Sequence, residues 1–100
     1  MPTTGSEDFE ERFQRIEDFI LSSFEEDLMV MHVETRDTVV LNATGMAIWE
    51  ALKWPQSINT LTEILMEAFP KQQQDALGSQ VAEVLRTLRS RGLVACLKDS

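Results

Sequence analysis

The 100-residue chain has one cysteine, one histidine, four glycines, three prolines and no tyrosine. A single cysteine, Cys96, excludes an intrachain disulfide and fits a reducing compartment. The single histidine, His32, has no cysteine, second histidine or paired carboxylate at metal-ligand spacing. The glycines form neither a phosphate-binding loop nor a nucleophile elbow. We therefore expect no metal, no cofactor and no enzyme activity from this chain.

Long apolar runs are also missing. The longest, such as residues 28–31 and 93–97, are far too short to span a bilayer. The first eleven residues lack the basic and apolar regions of a signal peptide. The sequence thus predicts a cytoplasmic protein with no membrane partner, and its 43% apolar residues suffice for one domain with a core.

Acidic residues are concentrated in the first third of the chain. Residues 1–37 hold eleven acids and three arginines and so carry the whole formal charge of −8, whereas residues 38–100 are neutral. An acidic half repels phosphate, which argues against nucleic acid as a partner. The acidic region would suit a partner with a basic peptide or a basic protein surface. Alternatively, its charges only keep the protein soluble.

The stretch of residues 38–52 organises the chain. Thr38–Leu41 is a run of β-branched and apolar residues that predicts a strand. Asn42 is a good helix N-cap, and a helix follows directly. Its inward-facing residues are predicted to be Met46, Ile48, Trp49 and Leu52.

Before this stretch, the pattern predicts one helix and two strands. Phe9, Phe13 and Ile16 recur at helical spacing and predict a short amphipathic helix over about 7–16. Phe19–Phe24 predicts a first strand, unless that helix runs on to about residue 21. Residues 28–34 predict a second strand, residues 35–37 close a hairpin, and Thr38–Leu41 is the third strand.

After this stretch, Trp54 lies in a loop and is expected to cover the core; a solvent-facing contact residue is the alternative. Thr60-Leu-Thr-Glu63 has the spacing of a capping box and is predicted to open a second helix, which Pro70 ends.

Gly92 is predicted to stop a third helix, and residues 93–97 either add a strand or pack on the core. The third helix is predicted from its apolar stripe of Leu77, Val81, Val84, Leu85 and Leu88.

The order of elements predicts an α+β domain, in which a three-stranded antiparallel sheet is followed by three helices. This arrangement resembles a winged helix-turn-helix. We expect residues 18–97 to form the domain and residues 1–17 to be an acidic tail or short helix.

The residues 39–52, read in order, resemble the PqqD-like family (coenzyme PQQ synthesis protein D and relatives). Its members read valine, Leu-Asn, two or three small residues, Ile-Trp and leucine. Thr60–Glu63 stands where the family opens its second helix, and residues 81–94 resemble its third helix and terminal Gly-Leu. The resemblance covers about residues 18–95. It departs at residues 53–55, where the family often has Asp-Gly, and at Gln80, where it often has aspartate.

The resemblance implies a RiPP recognition element, which binds the leader peptide of a ribosomally made precursor as an added strand. Such a domain presents the precursor to a modifying enzyme, for example a radical SAM enzyme or a leader peptidase. Backbone pairing is then expected from Thr38, Val39, Val40 and Leu41. The helix wall of the peptide site is expected from Gln80, Val81, Val84, Leu85 and Leu88, among which Val81, Leu85 and Leu88 could instead belong to the core.

Two other functions remain open at this point. A winged-helix DNA-binding regulator would use Arg86, Arg89 and Arg91, although base-reading residues usually lie nearer the start of a recognition helix. A structural subunit would have its strand edge filled by its own N-terminal segment or by a second copy. The sequence leaves both a monomer and a homodimer possible.

Overall fold

The computed structural model describes residues 11–98, which form five strands and three helices. The predicted α+β architecture, a three-stranded antiparallel sheet followed by three helices, is confirmed, and a pair of strands from the two ends of this region adds to it. The elements are β1 Glu11–Arg15, β2 Phe19–Phe24, β3 Asp27–His32, β4 Thr38–Leu41, α1 Ala43–Ala51, α2 Ile58–Ala68, α3 Gln74–Ser90 and β5 Val94–Lys98.

The three-stranded sheet has the order β2-β3-β4 and is antiparallel throughout. Its register places Val30 opposite Val39 and Leu28 opposite Leu41. Val30, Val39 and Leu41 are buried, so this face of the sheet packs on the helices. The sequence pattern of β3 leaves its core face undecided because both faces are apolar, and the helices decide it by covering one of them.

Two of the three helices have side-chain caps at their N-termini. The Oδ1 atom of Asn42 accepts a hydrogen bond from the backbone N–H of Gly45 at 2.9 Å, which confirms the predicted cap of α1. The prediction that Thr60 caps α2 is wrong, because Ser57 Oγ accepts from the N–H of Thr60 at 3.1 Å. The helix therefore begins one turn earlier, at Ile58. No helix of the described region is long and apolar enough to cross a membrane.

The core centres on the indole of Trp49, which is fully buried. The ring of Phe19 packs edge-on against it, with the ring centroids 5.0 Å apart. The guanidinium of Arg15 lies 5.0 Å from the Phe19 centroid and 5.4 Å from the Trp49 centroid, and donates to the Trp49 carbonyl at 3.1 Å. By contrast, Trp54 is 66% exposed, so the prediction that it covers the core is wrong.

The predicted helix over about 7–16 is wrong where it can be compared, because Glu11–Arg15 is the strand β1; residues 7–10 lie outside the described residues. Phe13 explains the difference. Its N–H donates to the carbonyl of Gln56 at 2.7 Å, and the N–H of Gln56 donates back at 2.9 Å. On its other side β1 pairs with β5. Pairing with two distant segments therefore outweighs the local helical spacing.

Glu25 stands at a strained backbone position in the two-residue turn between β2 and β3, with φ at 58°. This left-handed conformation costs a residue with a Cβ about 1–2 kcal/mol, which glycine avoids. We expect Glu25→Gly to raise the free energy of unfolding by about 1 kcal/mol. Urea denaturation would measure the change.

Glu26→Gly is the matched control, because it removes the same charge at the neighbouring position, which has no positive φ. It should leave stability unchanged or lower it. Equal stabilisation by both variants would mean that relief of acidic repulsion, and not backbone strain, is responsible.

Candidate functional site

The outer edge of β4 offers unpaired backbone groups. Within residues 11–98, no strand pairs with this edge. The N–H of His32 donates to the carbonyl of Asp37 at 2.9 Å, so His32 and Asp37 are a hydrogen-bonded pair of the β3–β4 ladder. Because hydrogen-bonded pairs alternate along an antiparallel ladder, Val39 and Leu41 bond to β3, while the N–H and C=O groups of Thr38 and Val40 point outward.

A cleft with a volume of about 350 Å³ lies beside this edge, between β4, the start of α1 and α3. Its walls combine four apolar side chains with six polar or charged ones. The lining residues are Asp27, Val39, Val40, Leu41, Asn42, Thr44, Gly45, Gln80, Glu83, Val84 and Thr87.

The structure brings together only part of the predicted peptide site. Val40, which is 53% exposed, Gln80 and Val84 line the cleft, together with the buried side chains of Val39 and Leu41. Thr38 lies on the same edge just outside the cleft lining and is exposed. The predicted wall residues that lie in the core instead are Val81, Leu85 and Leu88.

Helical geometry explains this division of α3. Successive residues on a helix are rotated by 100°, so residues three or four positions apart share a face. The apolar stripe of α3 is turned toward the core. The cleft wall is formed by the next face, which includes Glu83 and Thr87. Neither residue was predicted for the site, because the prediction followed the apolar stripe of the helix and Gln80, the one polar position that the family resemblance supplied. Their spacing from Gln80 and Val84 is the signal that would have revealed them.

The charges that line the cleft are both negative. Asp27 at the start of β3 and Glu83 on α3 are its two charged lining residues. At the rim, the side-chain amide of Gln80 donates to Gln72 Oε1 at 3.2 Å. In the described region, no group of three or more metal-ligating side chains is placed to hold a metal ion. The cleft therefore fits a ligand with apolar and basic groups.

Gly45 lets α1 approach the end of β4 closely. A Cβ at this position would lie 3.0 Å from Leu41 Cδ2 and 3.1 Å from Leu41 Cβ. These distances are tighter than ordinary van der Waals contact, so a side chain would displace Leu41. The shape of the cleft floor thus depends on a glycine at this position.

A family model described as coenzyme PQQ synthesis protein D matches residues 27–94, which is more than half of the chain. The chain belongs to the PqqD family. The matched region runs from β3 to the start of β5 and contains every residue that lines the cleft. Strands β1 and β2 precede the region that matches.

The PqqD-family domain also resembles a solved structure described as TbiB1 in complex with the TbiA(beta) leader peptide. The two chains are 15% identical, and the superposition has a TM-score of 0.67 and covers 81% of this chain and 93% of that one. At this identity the likeness establishes a shared fold. No curated protein matches the sequence.

Two glycine-to-alanine variants test whether Gly45 is required by packing. Gly78 lies within α3, where an added Cβ would meet Thr62 Oγ1 at 4.0 Å, an ordinary contact. We expect Gly78→Ala to stabilise this PqqD-family domain by up to about 1 kcal/mol, because alanine favours the helix. Gly45→Ala should lose that gain to the contact with Leu41. Thermal unfolding of both variants checks this, and an equal gain would contradict it.

Proposed function

We propose that this PqqD-family domain is a RiPP recognition element that binds the leader peptide of a ribosomally made precursor. The leader adds to the outer edge of β4 as an extra strand, and its apolar side chains enter the cleft beside α3. The domain performs no chemistry itself. The likeness of its fold to TbiB1, whose structure was solved in complex with a leader peptide, supports this proposal.

The observation that carries the proposal is the free edge of β4 at the mouth of the cleft. Thr38 and Val40 direct their backbone donors and acceptors away from β3, toward the space that an added strand would occupy. These groups give affinity for any extended peptide. The neighbouring walls, built from Val84 on α3 and Leu41 below, give selectivity for its side chains.

The lining of the cleft limits which leader would bind well. Val40 and Val84 favour an aliphatic or aromatic side chain. Asp27 and Glu83 favour a lysine or arginine nearby, and the overall charge of −8 points in the same direction. We therefore propose a leader that carries at least one apolar and one basic residue in its extended segment.

Binding the leader would serve a second protein. Holding the precursor next to a modifying enzyme, such as a radical SAM enzyme or a leader peptidase, raises the effective concentration of the core peptide at that enzyme. We place this reaction in the cytoplasm. A free edge on β4 favours a monomer as the binding form, because a second copy paired there would block the leader.

DNA binding has weaker support. The three arginines of the region between β4 and β5 lie at or beyond the last turns of α3, whereas the start of α3 carries Asp75 and no basic residue. Recognition helices read bases mainly from their N-terminal part. Arg91 also contacts Asp37, with 3.9 Å between Nη1 and Oδ1.

Val40→Pro tests the strand-addition proposal. Proline removes the N–H that points away from β3, so the ladder within the sheet stays complete. We expect affinity for the leader of the nearest encoded precursor peptide to fall at least about tenfold, which corresponds to about 1.4 kcal/mol. Isothermal titration calorimetry measures it, and amide NMR shows whether the shifts lie at β4 and along α3.

Val40→Ala is the matched control, because it keeps the N–H and removes most of the side chain. It should retain more affinity than Val40→Pro. If both variants bind equally, backbone pairing at this position contributes nothing to affinity.

If the amide spectrum of the wild-type protein does not change with excess leader, a mass measurement on the free protein shows whether a second copy already fills the edge of β4.

The acidic turn of Glu25, Glu26 and Asp27 lies next to the cleft and could steer a basic leader toward it. We expect reversal of these three residues to lysine to slow association several-fold at low ionic strength. The effect should shrink with added salt, because salt screens exposed charges. Stopped-flow measurement of the association rate constant checks both points.

A control variant changes the net charge equally at exposed sites on the helices. It carries lysine at Glu50, Glu63 and Glu67. Equal slowing by the two variants would assign the effect to net charge, and unchanged rates in the acidic-turn variant would remove steering altogether.

A further inference from the structure

A second groove lies on the other side of α3 from the cleft, between this helix, β1 and the start of α2. Its volume is about 410 Å³. Phe13, Ile58, Ala82 and Leu85 form an apolar floor, and Arg86 and Arg89 border it. We call this surface the back groove.

The floor of the back groove keeps apolar surface accessible. Ile58, the first residue of α2, is 39% exposed although it adjoins the buried ring of Phe13. A single exposed isoleucine is common on protein surfaces. Here it continues into a concave apolar floor, which is the shape that receives a side chain from another molecule.

The border of the groove is positive on a protein that is strongly negative. Arg86 and Arg89 are exposed, and within residues 11–98 the structure gives neither guanidinium a hydrogen-bonding or ionic partner. Their position near the end of α3 also suits the helix dipole. The dipole alone, however, does not require them to flank an apolar groove.

We infer that the back groove docks an acidic segment of a partner protein that carries a large apolar side chain. The apolar side chain lies on the floor against Ile58 and Phe13. Carboxylates of the segment pair with Arg86 and Arg89, whose planar guanidinium groups match carboxylate geometry. This inference goes beyond leader binding and does not depend on it.

Charge favours an acidic peptide over nucleic acid as the occupant. A phosphate backbone needs many cations along its path, and its whole length would face a domain with a charge of −8. A short acidic segment meets two arginines locally and places few charges near the rest of the surface. Its apolar side chain also uses the floor, which a phosphate backbone would leave uncovered.

The placement of the two surfaces allows both to be occupied at once. On α3 the buried stripe separates Val84, which lines the cleft, from Arg89, which borders the back groove. On the solvent side Glu83 and Arg86, three positions apart, are the nearest members of the two faces. The two faces differ in the sign of their charge. A basic leader and an acidic partner segment would therefore bind to different faces of the same helix.

The experiment titrates three short synthetic peptides into the isotope-labelled full-length protein. The peptides share one leucine and one phenylalanine and carry glutamate, glutamine or lysine at their other positions. We expect the glutamate peptide to shift the amides of Ile58, Ala82, Arg86 and Arg89, and the other two to bind about tenfold more weakly or not at all. The glutamate peptide should not shift the amides of β4; shifts there with the lysine peptide would report the leader cleft, so the three affinities are compared at the back-groove amides alone.

A charge-swap variant makes the test specific. Arg86→Glu/Arg89→Glu should lose the glutamate peptide and gain the lysine peptide at the same amides. The control, Lys53→Glu/Lys71→Glu, changes the net charge equally at exposed lysines that do not line the groove, and it should still bind the glutamate peptide.

Five results would overturn the inference. The glutamate peptide could shift other residues, or all three peptides could bind alike. The control variant could lose binding as much as the charge-swap variant, which would leave only long-range charge. Duplex DNA could shift the same amides at physiological salt, and the occupant would then be DNA. Finally, the wild type could self-associate through this groove while the charge-swap variant stays monomeric, and the occupant would then be a second copy.

Discussion

Burial of one stripe of α3 is the constraint on which the rest of the structure depends. Leu77, Val81, Leu85 and Leu88 are all buried, and the helix packs against α2, α1 and β5. At 100° per residue, this contact determines which residues stand on either side of the stripe. The cleft wall and the back groove are therefore both consequences of how α3 packs.

The free edge of β4 follows from the neighbouring elements. The chain passes from Leu41 through the cap residue Asn42 directly into α1, so the strand has only four residues. A short edge strand limits uncontrolled pairing with other chains, yet it leaves two residues with outward backbone groups. Because α3 stands beside this edge, an added strand would meet side-chain selectivity as well as backbone bonds.

The predictions that succeeded are those whose signal is local. The strand Thr38–Leu41, the cap at Asn42 and the stop at Gly92 each depend on neighbouring residues in sequence. The helix predicted over about 7–16 failed because Phe13 satisfies its backbone with Gln56, more than forty positions away. The predicted cap of α2 is wrong because Ser57 and Thr60 are both good cap residues, and in the structure Ser57 is the one that accepts from the N-terminus of the helix.

The sequence by itself determined the order of strands and helices from β3 to α3, the charge imbalance and the membership of the PqqD family, since composition and short-range pattern determine these features. Only the tertiary structure decided which of the predicted site residues line the cleft. Val84 and Val81 are both valines on α3, three positions apart; the sequence left open whether Val81 belongs to the site or to the core, and the structure places it in the core. The choice depends on the direction from which α2, α1 and β5 cover the helix, and that direction is a property of the whole packed domain.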